Sequence, residues 1–531
     1  MLSALVPPVL AASMLVVGVV LLISGATPAI MERIRRLREF LPLPFIEASH
    51  FLGSIVGILM LFVARGVQRR IDSAYLLSIV LLVAGIGLSL AKGFDYEEAS
   101  ILGVVLLAVL PCRRVFYRKS SVLSGGLPAT WTVGIAAIVL GTAWVTFYAH
   151  RHVEFSGELL WQFVLDGHAP RSVRALAGSV AVAAVVGATL LIRQALRGRE
   201  KRPEPDWELI GNIVRGSRRT SANLAYLGDK IFLFNDAKSA FLMYGTAGRI
   251  WVSMGDPVGP REESNELAWR FRELGDRHGA RAVFYEVGPE SLPVYLDMGY
   301  VMLNLGEEAR VSLREFSLEG SARKDIRHAH SRCVRDGHSF ELVSPEGVPA
   351  LLPTLGSVSS AWLQSRSTRE KGFAMGSYSE AYIRRFPVGV VRRNGEVVAF
   401  ANVWLTGARE ELSVDLMRHS GAAGPGVMEY LFAELMLWGR REGYEWFNLG
   451  VAPLSGVEDR ELASLWNRAA NLIYRYGGHF HNFQGLRFFK AKFGPVWEPR
   501  YIAAPGGIAL PRVVVSIASL VSGGIRGVVG R

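Results

Sequence analysis

Apolar runs of bilayer-spanning length crowd the first two hundred positions of the chain and then stop. A helix needs about 20 predominantly apolar residues to cross the hydrocarbon core. Six segments read as spans: Leu5–Ile23, Ile46–Ala64, Ala74–Leu90, Glu98–Leu110, Thr130–Ala149 and Leu176–Ile192. Glu98–Leu110 is short for this and reads as tilted or re-entrant. The first run has no basic leader and no small-residue cleavage site, so it is expected to be a retained span and not a removable signal. Residues 1–196 are thus expected to form a helical membrane region and 197–206 a basic linker, with a water-soluble part beyond. Arg65, Arg69 and Arg70 follow the second run, and Arg113, Arg114, Arg118 and Lys119 follow the fourth. Arg193, Arg197, Arg199, Lys201 and Arg202 follow the sixth. Alternating spans place these loops on one side, and cationic loops stay in the cytoplasm. The soluble part is therefore expected in the cytoplasm, beneath a multi-pass anchor in the plasma membrane. Glu32–Glu39, with Arg33, Arg35, Arg36 and Arg38, falls on the opposite side. It reads as an interfacial amphipathic helix or as the mark of a misplaced span.

The 59 Lys and Arg against 47 Asp and Glu leave a net charge of +12, which suits polyanionic partners such as nucleic acid or an anionic leaflet. Cys112 and Cys333 lie far apart and outside any CxxC spacing, so neither a disulfide framework nor a cysteine-built zinc site is signalled. Beyond residue 206 the periodicity alternates between strand and helix. Strands are expected at Leu224–Leu227, Ile231–Phe234, Ala240–Tyr244, Ile250–Met254 and Ala282–Val287, with helices at Glu262–His278 and Glu290–Met298. Basic helix Ala322–Arg335 and helix Gly347–Ser365 then precede strands Val388–Arg392, Val397–Leu405, Leu412–Leu416 and Trp446–Leu449. Asn394-Gly395 signals a hairpin, and helix Val427–Arg441 lies between the last two strands. The order strand–strand–strand–helix–strand occurs twice, which predicts two similar mixed α/β units, 207–320 and 321–513, and a tail at 514–531. The apolar, glycine-rich stretch Ile508–Val529 fits a membrane-contacting helix or a packed C-terminal helix equally well.

No GxSxG, HExxH, GxxxxGK or complete GxGxxG motif is present, so hydrolase, zincin, P-loop and Rossmann chemistries have no motif support. His479 and His481 read as a surface or rim pair, and no metal is expected. The stretch Glu411–Gly450 runs from a strand bearing Asp415 and Arg418, through Gly421, Gly424 and Gly426, into a helix starting at Val427. Unpaired N–H groups at such a helix start can receive a phosphate. The plainer readings are an αβ connection and an internal salt bridge. In GLRFFKAKF (Gly485–Phe493), Arg487, Lys490 and Lys492 interleave with phenylalanines, which suits phosphate contact plus base or acyl packing. Arg323, Lys324, Arg327, Arg332 and Arg335 form a basic patch suited to an RNA backbone or lipid headgroups, or simply a solvated face.

Several longer motifs, in order, carry a resemblance: GDPVGP (Gly255–Pro260), FPVGVVRRNGEVVAFANVW (Phe386–Trp404), ELSVDLMRH (Glu411–His419), WFNLGVAPLSG (Trp446–Gly456), FQGLRFFKAKFGPVWEPRY (Phe483–Tyr501) and PGGIALPRV (Pro505–Val513). Together they resemble the C-terminal synthase of lysylphosphatidylglycerol synthases, the multiple peptide resistance factors, over most of Trp207–Val513. Glu47–Arg70 is similar to late membrane spans of that family. Members usually carry more spans, including an N-terminal flippase module, so the resemblance implies synthesis and not a complete flippase. The implied fold is an N-terminal transmembrane helical region followed by two tandem acetyltransferase-like (GNAT) domains. The implied reaction moves an aminoacyl group, lysyl by default, from aminoacyl-tRNA to the glycerol hydroxyl of phosphatidylglycerol, with no cofactor beyond the charged tRNA. Its product lowers negative surface charge and gives resistance to cationic peptides. The resemblance points to Tyr382, Asp415, Arg418 and Lys490 as the catalytic set. Asp415 would hold the α-ammonium or help deprotonate the hydroxyl, and Arg418 would grip a phosphate. Lys490 would offset oxyanion or phosphate charge, and Tyr382 would orient the aminoacyl group. Substrate binding is expected of Glu434, which could recognise a cationic side chain, and of Gly424, Gly426, Val427, Asn448, Arg487 and Lys492. Self-association stays open. Two other readings also stand: a membrane-anchored RNA- or anionic-lipid-binding protein without catalysis, and a transferase with a peptidoglycan-precursor acceptor.

Overall fold

The computed structural model describes residues 2–26, 43–117, 129–149, 204–366, 369–456, 481–507 and 510–523, with isolated positions at 182, 185, 186 and 189. It divides into two compact units, Met1–Lys201 with Asp276–Gly279, and Arg202–Gly275 with Ala280–Arg531.

Among the described residues of the first unit, three helices are long and apolar enough to cross a membrane: Leu5–Ser24, Ala48–Gln68 and Asp72–Lys92. They coincide with the first three expected spans. Leu2–Ala26 and Leu43–Gln68 approach closely where Gly18 meets Gly57, since a Cβ on Gly57 would lie 2.9 Å from the Gly18 carbonyl. The expected span at Glu98–Leu110 is a 14-residue helix, Tyr96–Val109, below spanning length. The run at Thr130–Ala149 is the 21-residue helix Ala129–Ala149. Residues 32–39, Arg118, Lys119, most of 176–192 and the cationic run 193–203 lie outside the described residues. Lys92 and Glu98 are buried as an ion pair beside Ser24, whose hydroxyl lies 2.6 Å from the lysine and 3.0 Å from the carboxylate.

The described residues of the second unit build one eleven-stranded sheet in the order β1-β2-β3-β4-β11-β5-β10-β9-β8-β7-β6. The strands are β1 (Ile231–Phe234), β2 (Phe241–Ala247), β3 (Ile250–Met254), β4 (Arg281–Val287), β5 (Tyr300–Ser312) and β6 (His338–Val343). They continue with β7 (Val388–Arg393), β8 (Glu396–Leu405), β9 (Glu411–His419), β10 (Trp446–Pro453) and β11 (Val496–Pro505). The doubled pattern is present: β3 pairs parallel with β4, β9 pairs parallel with β10, and each pair is joined through a helix, Arg261–Arg277 or Val427–Arg441. The final strands then interleave. β11, last in the chain, enters between β4 and β5, and β5 of the first repeat lies between β11 and β10. Apolar residues from both repeats accordingly share one core, in which Val252 and Val283 join Val388 and Phe400.

Leu224–Leu227, expected as a strand, belongs to the 3-10 helix Thr220–Leu227, whose turn Asn223 braces by donating to the Thr220 carbonyl at 3.0 Å. A four-residue apolar run does not by itself distinguish a strand from a helical turn. Helix Glu290–Met298 opens as a 3-10 turn and becomes α-helical only over Leu292–Asp297, where Pro293 suits the first turn. In the tail, helix Leu510–Val521 buries Val513 and Ile517 against the first core while Val515 stays exposed. Its described part is thus a packed C-terminal helix.

At the interleaved strands, Gly306 has φ 145° and a Cβ there would lie 2.3 Å from the Ala452 carbonyl. Gly306→Ala is expected to destabilise the soluble unit by about 2 kcal/mol or more, because it combines an unfavourable φ with a backbone clash. Urea unfolding of the variant against the parent measures it.

Candidate active site

Two residues three apart on a regular strand face opposite sides of the sheet. Asp415 and Arg418 share a side because β9 carries one extra residue. Its register against β8 shifts from Ala401↔Met417 to Val403↔Val414, and Asn402 accepts a hydrogen bond from the Leu416 N–H at 2.7 Å inside the bulge. The core assignments follow the shift: Leu412, Val414 and Met417 pack into one core and Leu416 into the other.

Asp415 sits at the centre of this group. Its Oδ2 accepts from the Tyr382 hydroxyl at 2.6 Å and its Oδ1 from the Gly376 N–H at 2.8 Å. A side chain at 376 would strike it, as a Cβ would stand 1.9 Å from Oδ2. Tyr382 lies on the short helix Glu380–Ile383, capped by Ser379, and its oxygen accepts from Trp404 Nε1 at 3.2 Å. Lys230 is buried nearby, donating to Asp229 at 2.7 Å and to the Leu224 carbonyl at 3.0 Å. Arg418 stacks 4.0 Å over Trp362 and pairs with Glu370 at 3.0 Å, while its buried Nε finds no partner among the described residues. Burial pushes Asp415 up to about 6, against the opposing pull of the Tyr382 and Gly376 hydrogen bonds and of the Lys230 and Arg418 charges. Burial, reinforced by Asp415, holds the Tyr382 phenol well above its usual range, and burial lowers Lys230 and Arg418.

Lys490 is not in that group. It rises from helix His481–Ala491, is buried, and donates to the Val451 carbonyl of β10 at 2.8 Å. Around it stand the charged residues of the interleaved strands. Glu308 of β5 accepts from Asn448 at 2.9 Å, pairs with Arg219 at 3.2 Å and makes a further ion pair with Arg500 of β11. Arg310 of β5 bridges Glu411 and Glu498 at 3.1 and 3.0 Å. Burial pulls Lys490 down to about 7, partly opposed by Glu286 and Glu308. Glu286 on β4 is pushed up to about 7, first by burial and then by Glu308, with Arg500 and Lys490 opposing.

The remaining expected residues are dispersed. Asn448 belongs to the interleaved strands, where its Oδ1 accepts the Gly450 N–H at 2.8 Å and its amide holds Glu308. Glu434 meets His330 at 2.8 Å and not the Asp415 group. Gly424 (φ 74°) and Gly426 (φ 89°) form the turn into the Val427 helix, where Val427 is a core side chain and Gly426 backs onto Ala329. Arg487 pairs with Glu307 at 3.0 Å and lies 4.5 Å over Trp497, and Lys492 pairs with Glu429 at 2.9 Å. The basic patch divides: Arg323 donates to the Lys492 carbonyl and Arg327 to those of Leu318 and Gly320, whereas Lys324, Arg332 and Arg335 are exposed. His479 lies outside the described residues, and no metal-holding cluster occurs among them. Lys230, Gly376, Glu286, Glu308 and Arg500 are additions from the structure. For two of these contacts the partner lies far along the chain, Gly376 being 39 positions from Asp415 and Glu308 192 from Arg500.

Residues 213–504 match the family described as phosphatidylglycerol lysyltransferase, C-terminal. The phosphatidylglycerol lysyltransferase of Bacillus subtilis (strain 168) is 28% identical over 498 residues, covering 92% of this chain and 56% of that protein. That of Staphylococcus aureus (strain MRSA252) is 34% identical over 282 residues, 53% of this chain and 33% of that protein. The chain thus spans about half or less of the length of these curated relatives. Two solved structures align with the soluble unit. L-PGS from Bacillus licheniformis is 33% identical with TM-score 0.54, covering 61% of this chain and 99% of that one. The C-terminal domain (DUF2156) assigned to a lysylphosphatidylglycerol synthetase of Agrobacterium fabrum is 41% identical with TM-score 0.55, covering 60% and 98%. The fold is that expected, an apolar helical region followed by a tandem acetyltransferase-like unit.

Because Asp415 binds its proton more tightly folded than unfolded, the folded state holds more protons between its ordinary value near 3.8 and about 6. Stability then falls as pH rises through that window. Asp415→Asn is expected to flatten this part of the curve of melting temperature against pH, measured by thermal unfolding of parent and variant.

Proposed function

The chain belongs to the phosphatidylglycerol lysyltransferase C-terminal family, and from that premise we propose that it transfers a lysyl group from aminoacyl-tRNA to the glycerol hydroxyl of phosphatidylglycerol. The observation that carries this reading is the bulge in β9, which sets a carboxylate and a guanidinium side by side next to a buried tyrosine. An aminoacyl-tRNA ester is already activated, so the work left to the protein is alignment of a hydroxyl on the carbonyl and relief of the charge that develops. Asp415, mostly ionised at neutral pH, holds the α-ammonium of the incoming aminoacyl group, and Tyr382 and Gly376 fix the carboxylate's direction. Arg418, whose Nε has no partner among the described residues, grips a phosphate through its guanidinium. The exposed Lys324, Arg332 and Arg335 supply diffuse attraction for a polyanion. Apolar helices of spanning length anchor the chain at the bilayer that supplies the acceptor, with the soluble unit in the cytoplasm where charged tRNA is found. The lysylated lipid carries less negative charge, which weakens attraction of cationic peptides to the cell surface.

Purified full-length protein incubated with radiolabelled lysyl-tRNA and phosphatidylglycerol vesicles is expected to place label in the lipid. Absence of lipid-linked label with every aminoacyl-tRNA tried overturns the reading. Label appearing only with peptidoglycan precursors moves the acceptor. Asp415→Ala and Arg418→Ala are each expected to lower turnover about 100-fold, because both position reacting groups.

A further inference from the structure

Between helix Leu352–Ser365 and helix Glu380–Ile383, residues 369–379 form a strap with neither helix nor strand of its own. The strap nevertheless carries two groups that shape the Asp415 site. Glu370 pairs with Arg418 at 3.0 Å, and the Gly376 N–H donates to Asp415 Oδ1 at 2.8 Å. No backbone ladder holds these groups in place, so the strap depends on contacts made across the fold. The Tyr378 hydroxyl donates to the Leu352 carbonyl at 2.8 Å, a neighbour within the second repeat. The Gly372 N–H donates to the Val521 carbonyl of the C-terminal helix at 3.1 Å. The Phe373 N–H donates to Asp229 Oδ2 at 2.6 Å, across 144 positions of chain.

Phe373 is the residue of the strap that most needs an anchor. It has φ 62°, a left-handed conformation that a phenylalanine keeps only where its surroundings enforce it. Its side chain is buried against the first repeat: a Cβ on Gly245 of β2 would stand 3.0 Å from the ring. Lys230 Nζ lies 5.7 Å from the ring centroid. Asp229 joins these parts. Its Oδ1 accepts from buried Lys230 at 2.7 Å while Oδ2 takes the Phe373 N–H. One oxygen suffices to neutralise the lysine, and the other is committed to the strap. From Phe373 to Gly376 is three residues, a tether of at most about 11 Å, so whatever fixes the first constrains the second.

We propose that Asp229 is a positioning residue for the transfer reaction, one that pins the strap through the Phe373 N–H so that Gly376 aims the Asp415 carboxylate at the aminoacyl group. The inference rests on the reaction proposed above. The first repeat thereby takes part in a site whose substrate-facing residues, Asp415 and Arg418, belong to the second.

The test uses full-length protein in detergent with three variants. Asp229→Asn keeps an oxygen that can accept the Phe373 N–H, and Asp229→Ala removes it. Asp229→Ala/Lys230→Met removes it without leaving a buried cation unpaired, and serves for exchange and melting measurements only. Hydrogen–deuterium exchange read by mass spectrometry over 369–379 reports the strap without any substrate. Exchange there is expected to speed up about tenfold or more in Asp229→Ala and in the double variant, and to stay near the parent's rate in Asp229→Asn. The double variant should melt near the parent, with exchange in the β-strands unchanged. In the lipid-labelling assay Asp229→Ala is expected to lower kcat about tenfold, with KM for lysyl-tRNA within about twofold and activity largely restored in Asp229→Asn. The strap acts on the orientation of the aminoacyl end, whereas the phosphates hold the bulk of the tRNA. Unchanged exchange over 369–379 in both alanine variants overturns the proposal whether or not the parent transfers lysine. Faster exchange spread over the whole soluble unit in the double variant also overturns it, as does a loosened strap with kcat unaltered. A parent that labels no lipid, with the strap loosened as expected, defeats the transfer reading and leaves Asp229 as the anchor of the strap alone.

Discussion

The ten-residue antiparallel pairing of β5 with β11 holds the soluble unit together. Each strand is the last of its repeat, and each lies inside the other repeat's part of the sheet, so neither half of the chain completes its own sheet. Both strands have neighbours on either side, and buried charges ride on them. Glu308, Arg500, Arg310 and Glu411 would each be costly if unpaired. They are tolerable because acids and bases from β5, β9, β11 and the Arg219 segment close on one another, with Asn448 and Thr220 filling remaining hydrogen-bonding positions.

Bulges then turn a regular sheet into a site. A strand with strict alternation offers one residue in two to a given face. One extra residue in β9 brings Asp415 and Arg418 to the same face, and extra residues in β4, β5 and β10 gather Glu286, Glu308 and the Lys490 contact in a second group. Burial acts on both groups in the same sense, opposing charge, which brings a carboxylate to about 6 in one and a lysine and a glutamate to about 7 in the other. Groups so placed can change protonation state near neutral pH, where ordinary aspartates and lysines do not.

The doubled strand–helix pattern was legible because β2, β3, β4, β7, β8, β9 and β10 are apolar runs bounded by turn residues, and Asn394-Gly395 makes the β7–β8 hairpin. The central strands were not. β5 carries Asn304, Glu307, Glu308 and Arg310 where a buried strand would show aliphatic residues, and β11 contains Pro499, a residue that argues against a central position. Only partners distant in the chain make those polar residues acceptable inside. The same limit applies to the site. Asp415 and Arg418 sit in one motif and prove to be neighbours, with Tyr382, which lies outside the quoted motifs, beside Asp415, whereas Lys490, from an equally strong motif, belongs to a different group. Glu434 and Lys492, expected to bind substrate, are engaged by His330 and Glu429. Gly376 and Lys230 carry no motif, because their importance comes from where the backbone passes Asp415.

The interleaving also imposes an order on biosynthesis. A ribosome releases β1 to β10 before it reaches β11, yet β11 occupies an inner position flanked by β4 and β5. Until β11 emerges, β4 and β5 expose open edges in the middle of the nascent sheet, the kind of edge that recruits a neighbouring polypeptide. Pairing across so long a stretch of chain is also slow to form. The architecture that creates the site therefore leaves the protein vulnerable to aggregation until β11 has emerged, and its correct assembly depends on a strand made after the ten others.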